Sequence, residues 1–334
     1  MTNNMHPVQS PSRGPKDTET GSQDGAGEGR GSVGMTAGAD GGQAITRRAI
    51  ADALARLGVG SGNVLLVHSS LSRLGRVDGG PDAVIDALLE MVGHEGLVIV
   101  PTFTRCRLDP GSAEPAPEAY DPAATSCRPR TGVVPDTFWR RPEARRSRHP
   151  THSLAAIGAR ADEFVAGGER RTFDPAGPFG RYARWGGRAL FLGAGLGSNT
   201  TCHCAEDWMG MPFLTKERAL VRGRGGRAET VELTGCPSGC RSFYGGGGAV
   251  REAFERAAAL RTVMLNRAEL RLIAARDVLR AIAEQEERSP GWLLCADHTD
   301  DFCRTGIAAC AAQGETIRAR IAGLRAAGWV PPEE

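Results

Sequence analysis

The densest group of chemically capable residues is Thr200-Thr201-Cys202-His203-Cys204-Ala205-Glu206-Asp207. His203 and Glu206 stand three apart, so on a helix they share a face. A carboxylate beside an imidazole fixes its tautomer and raises its basicity, as a general base requires. Cys202 and Cys204 also suggest a metal, but Cys-x-Cys, like Cys-x3-Cys at Cys236 and Cys240, departs from paired zinc-ligand spacing. Cys295, His298, Cys303 and Cys310 form a looser group, read as buried thiols ahead of zinc ligands. No metal is expected.

Other polar residues gather where apolar runs end: Ser69-Ser70, Thr102-Phe103-Thr104, and Ser198-Asn199-Thr200-Thr201. In open α/β sheets ligands bind outside the carboxyl ends of strands. Hydroxyls and free amides there suit a phosphate or a pantetheine amide. The alternative is that the same residues cap the helices that follow. Arg145 through Ser153 packs three arginines and two histidines before a strand, which suits an anionic ligand or is simply a solvated basic loop.

The elements that must hold these residues follow from periodicity. Thr46 reads as the N-cap of a helix carrying Ile50, Leu54 and Leu57, stopped at Gly58-Val59-Gly60. Asn63–His68 and Leu97–Val100 read as buried strands with continuous apolar runs, separated by a helix carrying Val84, Ile85, Leu88 and Leu89. Strand, helix, strand with both strands fully apolar indicates a parallel βαβ unit. Ser153–Gly158 and Ala189–Gly193 read as further strands, residues 105–135 as a long loop, Val134–Arg141 as a short helix, and the chain from Ala249, notably Glu269–Glu287, as helical. Residues 1–44 are rich in Gly, Ser, Pro, Asp and Thr and read as a disordered tail before a domain over 45–334.

Composition excludes several classes. With 41 Lys+Arg against 39 Asp+Glu, the net charge of +2 gives no chain-wide affinity for nucleic acid or anionic membrane. No apolar run approaches the roughly 20 residues that span a bilayer, and no signal-peptide pattern opens the chain. A cytoplasmic protein is expected. Nine cysteines in such a compartment are thiols rather than disulfides. There is no Gly-x-Ser-x-Gly elbow, P-loop or His-Glu-x-x-His, and Gly193-Ala194-Gly195-Leu196-Gly197 lacks dinucleotide-loop spacing.

Taken in order, several segments resemble the aminoglycoside 3-N-acetyltransferase family. They are Val67–Gly75, Gly79-Gly80, Pro101–Thr104, Arg146–Ser153, Gly177-Pro178-Phe179-Gly180, and Leu192-Gly193 through Asn199-Thr200-Thr201, His203 and Glu206. The resemblance covers about residues 45 to 310. It implies a three-layer α/β/α sandwich with a central, mostly parallel sheet. It also implies acetyl transfer from acetyl-CoA, as co-substrate, to an amine of an aminoglycoside or related aminocyclitol, in antibiotic inactivation or biosynthetic tailoring.

Carried over by position, Ser69, Ser70 and Leu71 with Thr102, Phe103 and Thr104 line the CoA cleft, and Arg146, Ser147 and Ser153 border it. Glu206 and Glu169 stand at the positions of carboxylates that hold the cationic sugar and direct a histidine. One departure stands out. Relatives carry a histidine base where this chain has glycine, in Ala166-Gly167-Gly168-Glu169. His203 with Glu206 then substitutes as the base, and Glu169 helps bind the acceptor. The alternatives are a different acyl acceptor or a catalytically silent CoA- or aminoglycoside-binding homologue. The expected partners are acetyl-CoA and a small amine, with neither nucleic acid nor membrane.

Overall fold

The computed structural model describes residues 44–108, 118–223, 225–236, 248–257, 259–295 and 301–330. Residues 1–43 of the expected tail, Cys240 and His298 lie outside the described residues. Helix α1 (Arg47–Leu57) starts where expected, with the Thr46 hydroxyl accepting from the Ala49 amide at 3.2 Å. It ends at Gly58, whose φ of 86° closes the helix in the left-handed region that glycine tolerates.

The βαβ unit is β1 (Val64–Ser69), the short α2 (Leu71–Leu74), α3 (Gly80–Val92) and β2 (Leu97–Pro101). The chain continues through β3 (Arg107–Leu108), α4 (Arg128–Thr131), α5 (Val133–Trp139), β4 (Arg145–Arg146) and β5 (Leu154–Gly158). Then come α6 (Ala161–Val165), α7 (Pro178–Arg184), β6 (Arg188–Leu192) and α8 (Thr201–Met209). A hairpin of β7 (Thr215–Arg222) and β8 (Ala228–Cys236) precedes α9 (Gly248–Arg256), β9 (Arg261–Leu265) and β10 (Ala268–Ala274). The last helices are α10 (Ala275–Arg288), α11 (Asp301–Ala312) and α12 (Gly314–Ala326). Residues 268–274, expected to be helical, are therefore a strand; the alternation of buried Ala268, Leu270 and Leu272 with half-buried Glu269 and Arg271 is that of a sheet.

The main sheet has seven strands in the order β4-β5-β2-β1-β6-β10-β9, and β3-β7-β8 form a second, smaller sheet. β1 runs parallel to both β2 and β6, but β5, β4, β10 and β9 all join antiparallel. The mostly parallel sheet expected from the resemblance is thus mixed, parallel only at its centre. Apolar runs reveal burial on both faces but carry no information on strand direction, which the connections set.

Successive β1 side chains point to opposite faces and so divide the core. Leu65 and Val67 pack with α1, α3 and α5, whereas Leu66 packs with α6, α7, α8, α10 and α12. Helices on both faces make the three-layer sandwich. The ends of β1, β2 and β6 therefore open at one edge, with the polar turns placed there.

Candidate active site

Helix α8 follows β6 after a 3-10 turn at Leu196–Ser198 and carries the predicted pair. His203 Nδ1 lies 2.8 Å from Glu206 Oε2. With Nδ1 donating to the carboxylate, Nε2 is the acceptor nitrogen of the ring. Glu206 is 1% exposed and His203 is mostly buried. Cys202 and Cys204, flanking His203 on α8, enter the hydrophobic core, and burial pushes both thiols up. They are packing residues. Among the described residues no three His, Cys, Asp or Glu side chains converge as a metal-ligand set.

An aromatic wall surrounds the dyad. The Phe173 ring stands 5.7 Å from His203 and 6.0 Å from His152, and Phe103 lies 4.7 Å from His152. Two backbone amides, of Thr151 and His152, donate to His149 Nδ1 at 3.4 and 3.0 Å. Burial pushes the His149 imidazolium down to about 3. His152 is also held well below its ordinary value, by burial first and then by His149, His203, Arg130 and Arg107. Both rings are neutral at physiological pH. Phe173 carried no sequence signal: it sits in a turn without periodicity and is recruited only by the fold.

The predicted cleft residues divide into two groups. Ser69 ends β1 and bridges to Gly193, and the Ser70 amide donates to the Leu192 carbonyl at 2.9 Å. The Ser70 hydroxyl makes no cap contact with α2, the helix that Leu71 opens, and instead lies 3.4 Å from Ser72 Oγ. These groups face the open edge.

Thr102, Ser153 and Arg146 are instead joined to one another. Ser153 Oγ donates to the Thr102 carbonyl at 2.7 Å, and Arg146 Nε and Nη2 donate to Thr102 Oγ1 and its carbonyl at 3.1 and 3.0 Å. Arg146 Nη1 reaches the Thr125 carbonyl at 2.7 Å, and its guanidinium lies over Trp139 and Tyr120. Ser147 Oγ accepts from the Leu154 amide at 2.9 Å, and the Thr104 hydroxyl donates to the Pro150 carbonyl. This set fixes the floor of the cleft. It offers no free cation.

The rest of the basic segment is occupied as well. Arg145 pairs with Asp162 at 2.7 Å and Arg148 with Glu169 at 3.5 Å. Glu169 does not join the dyad: it is exposed on the rim of a separate cavity of about 210 Å³ beside Tyr120, Arg148 and Arg222.

The glycine at 168 is a conformational requirement. Its φ is 70°, and a β-carbon there would lie 3.0 Å from Pro178 Cδ and 3.3 Å from Gly177 Cα. The local backbone disfavours a histidine at this position.

Comparison with known proteins gives a consistent picture. The family model described as aminoglycoside 3-N-acetyltransferase matches residues 66–286. Aminoglycoside N(3)-acetyltransferase IV of Salmonella sp is 31% identical over 241 residues, covering 71% of this chain and 85% of that protein. The solved aminoglycoside acetyltransferase AAC(3)-IVa apoenzyme superposes with a TM-score of 0.68 at 27% identity, over 81% of this chain and 98% of its own. A solved binary complex of AAC-IIIb with CoASH matches with a TM-score of 0.65 at 26% identity, over 74% and 98% of the two chains.

Proposed function

Because this chain belongs to the aminoglycoside 3-N-acetyltransferase family and is an acetyltransferase using acetyl-CoA, we propose that its acceptor is an amine of an aminoglycoside or related aminocyclitol. We assign His203, oriented by Glu206, as the base. The observation that carries this is the 2.8 Å pair on α8, a carboxylate and imidazole beside the polar ends of the central strands.

The acceptor nitrogen attacks the thioester carbonyl, forming a C–N bond and a tetrahedral oxyanion. Nε2 of His203 takes the proton that the nitrogen must lose, and the imidazolium is stabilised by Glu206 across Nδ1. Collapse breaks the C–S bond and releases the CoA thiolate, which takes the proton from the His203 imidazolium to leave as thiol and restores the neutral base. The amides of Thr102 and Thr104 donate to the Ser153 and Thr151 carbonyls. The Phe103 amide between them faces the other way in an extended chain, and it is our candidate oxyanion donor.

Gly168 does not argue for a silent homologue, since the dyad supplies the proton acceptor. Glu169, neutralised by Arg148, is at most a peripheral contact for a cationic acceptor.

The test is thiol release from acetyl-CoA with a panel of aminoglycosides and simpler amines. Saturable release with an aminocyclitol, and a product heavier by one acetyl group, is the expected result. Release with none of the aminoglycosides but with another amine would move the acceptor to a different class.

A further inference from the structure

Two thiols that acetyl transfer does not use stand against each other. Cys295 Sγ lies 3.3 Å from Cys303 Sγ, and both residues are thiols in this structure. Cys295 follows the turn after α10, and Cys303 sits in the first turn of α11.

The backbone on both sides holds that approach. The amides of Gly291 and Leu293 donate to the buried Glu286 carboxylate at 2.6 and 2.9 Å, which fixes the turn to α10. The same turn packs closely on α11. A β-carbon on Gly291 would stand 3.3 Å from Ile307 Cα and Cys310 Cβ, and one on Gly306 would stand 2.5 Å from Leu294 Cδ1. Glycine on each side of the contact lets turn and helix come this close. Cys303 is wholly buried there, so packing keeps its sulfur in place.

Exposure separates this pair from the other thiols. Cys295 is the one half-buried cysteine among the described residues, and the rest are buried. Burial also pushes the thiols of Cys106, Cys127, Cys202, Cys204, Cys236 and Cys310 up, which withholds the reactive thiolate. An oxidant arriving from solvent therefore meets Cys295 first, with Cys303 already in place as the second sulfur. A disulfide needs about 2.05 Å between sulfurs, so closure takes a movement of about 1 Å.

We propose that Cys295 and Cys303 form a reversible oxidation site that closes to a disulfide when the protein meets a peroxide. The Cys295 thiolate attacks one peroxide oxygen. The S–O bond forms, the O–O bond breaks, and the departing hydroxide takes up the proton that the thiol gave away. Cys303 then attacks the sulfenic sulfur, forming the S–S bond and expelling the oxygen as water with the Cys303 proton. Two thiols lose two electrons in all, and one hydrogen peroxide becomes two waters. The closed bond ties the turn after α10 to α11, and a dithiol reductant reopens it. Neither the acetyl donor nor the acceptor takes part.

The test treats the reduced full-length protein with hydrogen peroxide, alkylates the remaining thiols with iodoacetamide in denaturant, and digests with trypsin for mass spectrometry. No Lys or Arg interrupts the sequence between Ser289 and Arg304, so one peptide carries both sulfurs and no other cysteine. That peptide should be unalkylated and lighter by two hydrogens than its reduced form. Dithiothreitol before alkylation should restore both alkylation sites. Cys303→Ala should leave a sulfenic acid at Cys295, trapped by dimedone several-fold more than in the wild-type protein. If that variant folds poorly, Cys295→Ser serves instead, and its Cys303 should stay alkylatable after peroxide. A wild-type peptide that remains doubly alkylated after peroxide would overturn the site. So would a Cys295 that reaches sulfinic acid as fast in the wild-type protein as in Cys303→Ala.

Discussion

Glu206 is 1% exposed, and such burial is tolerable because the His203 ring hydrogen-bonds it at 2.8 Å. That pair was legible in the sequence, since a three-residue offset on a helix fixes proximity whatever the rest of the fold does. The roles of Arg146, Thr102 and Ser153 were not. Thr102 and Ser153 are 51 positions apart, and no local rule states that two such hydroxyls will satisfy each other rather than a ligand. Arg73, Arg267 and Arg271 line one cavity that no run of charge announces. They are isolated letters in sequence, and only the antiparallel return of β10 beside β6 brings them to one cavity. Charge runs draw the eye, but Arg145, Arg146 and Arg148 face partners that the run itself does not contain.

At the scale of elements, the helices and central strands were legible because α1, β1, α3 and β2 bury long, regular apolar patterns. The outer strands were less so. β4 and β3 are two residues each, too short to carry a period, and β7-β8 expose much of both faces. The turn before α7 shows how backbone decides chemistry. Gly168 is left-handed and its missing side chain makes room for Pro178 at the head of α7. Gly168→His should therefore restore no base. It should lower stability by about 1 kcal/mol or more, read as a lower urea midpoint, with turnover no higher than wild type. A gain in turnover would show that the site still accepts a base from this turn.

For the whole molecule, buried titratable groups set the response to pH. Burial pushes His68 and His149 down to about 3, so they stay neutral when folded yet take protons below about 6.5 when unfolded. Their contribution is present above the unfolded value and is lost as pH falls. Burial pushes Glu286 up to about 7, against the pull of the Gly291 and Leu293 amides. Its contribution is present below the unfolded carboxylate value and is lost as pH rises toward 7. Between pH 6.5 and 4.5 the two histidines outweigh the one carboxyl. The free energy of unfolding should then drop on acidification by about 1 kcal/mol per pH unit between pH 6.5 and 5.0. Urea titrations at pH 6.5 and 5.0 measure this, and greater stability at pH 5.0 would contradict it. No described helix is long and apolar enough to cross a membrane, and the two core layers pack on opposite faces of one sheet.

The central claim is that this chain performs acetyl transfer with His203 as the base. The most direct measurement is kcat for His203→Ala with acetyl-CoA and the best acceptor, followed by thiol release, with CoA binding checked by calorimetry. The predicted result is a loss of about 10²–10⁴ in kcat with CoA affinity retained. An unchanged kcat in a folded, CoA-binding variant would contradict the account.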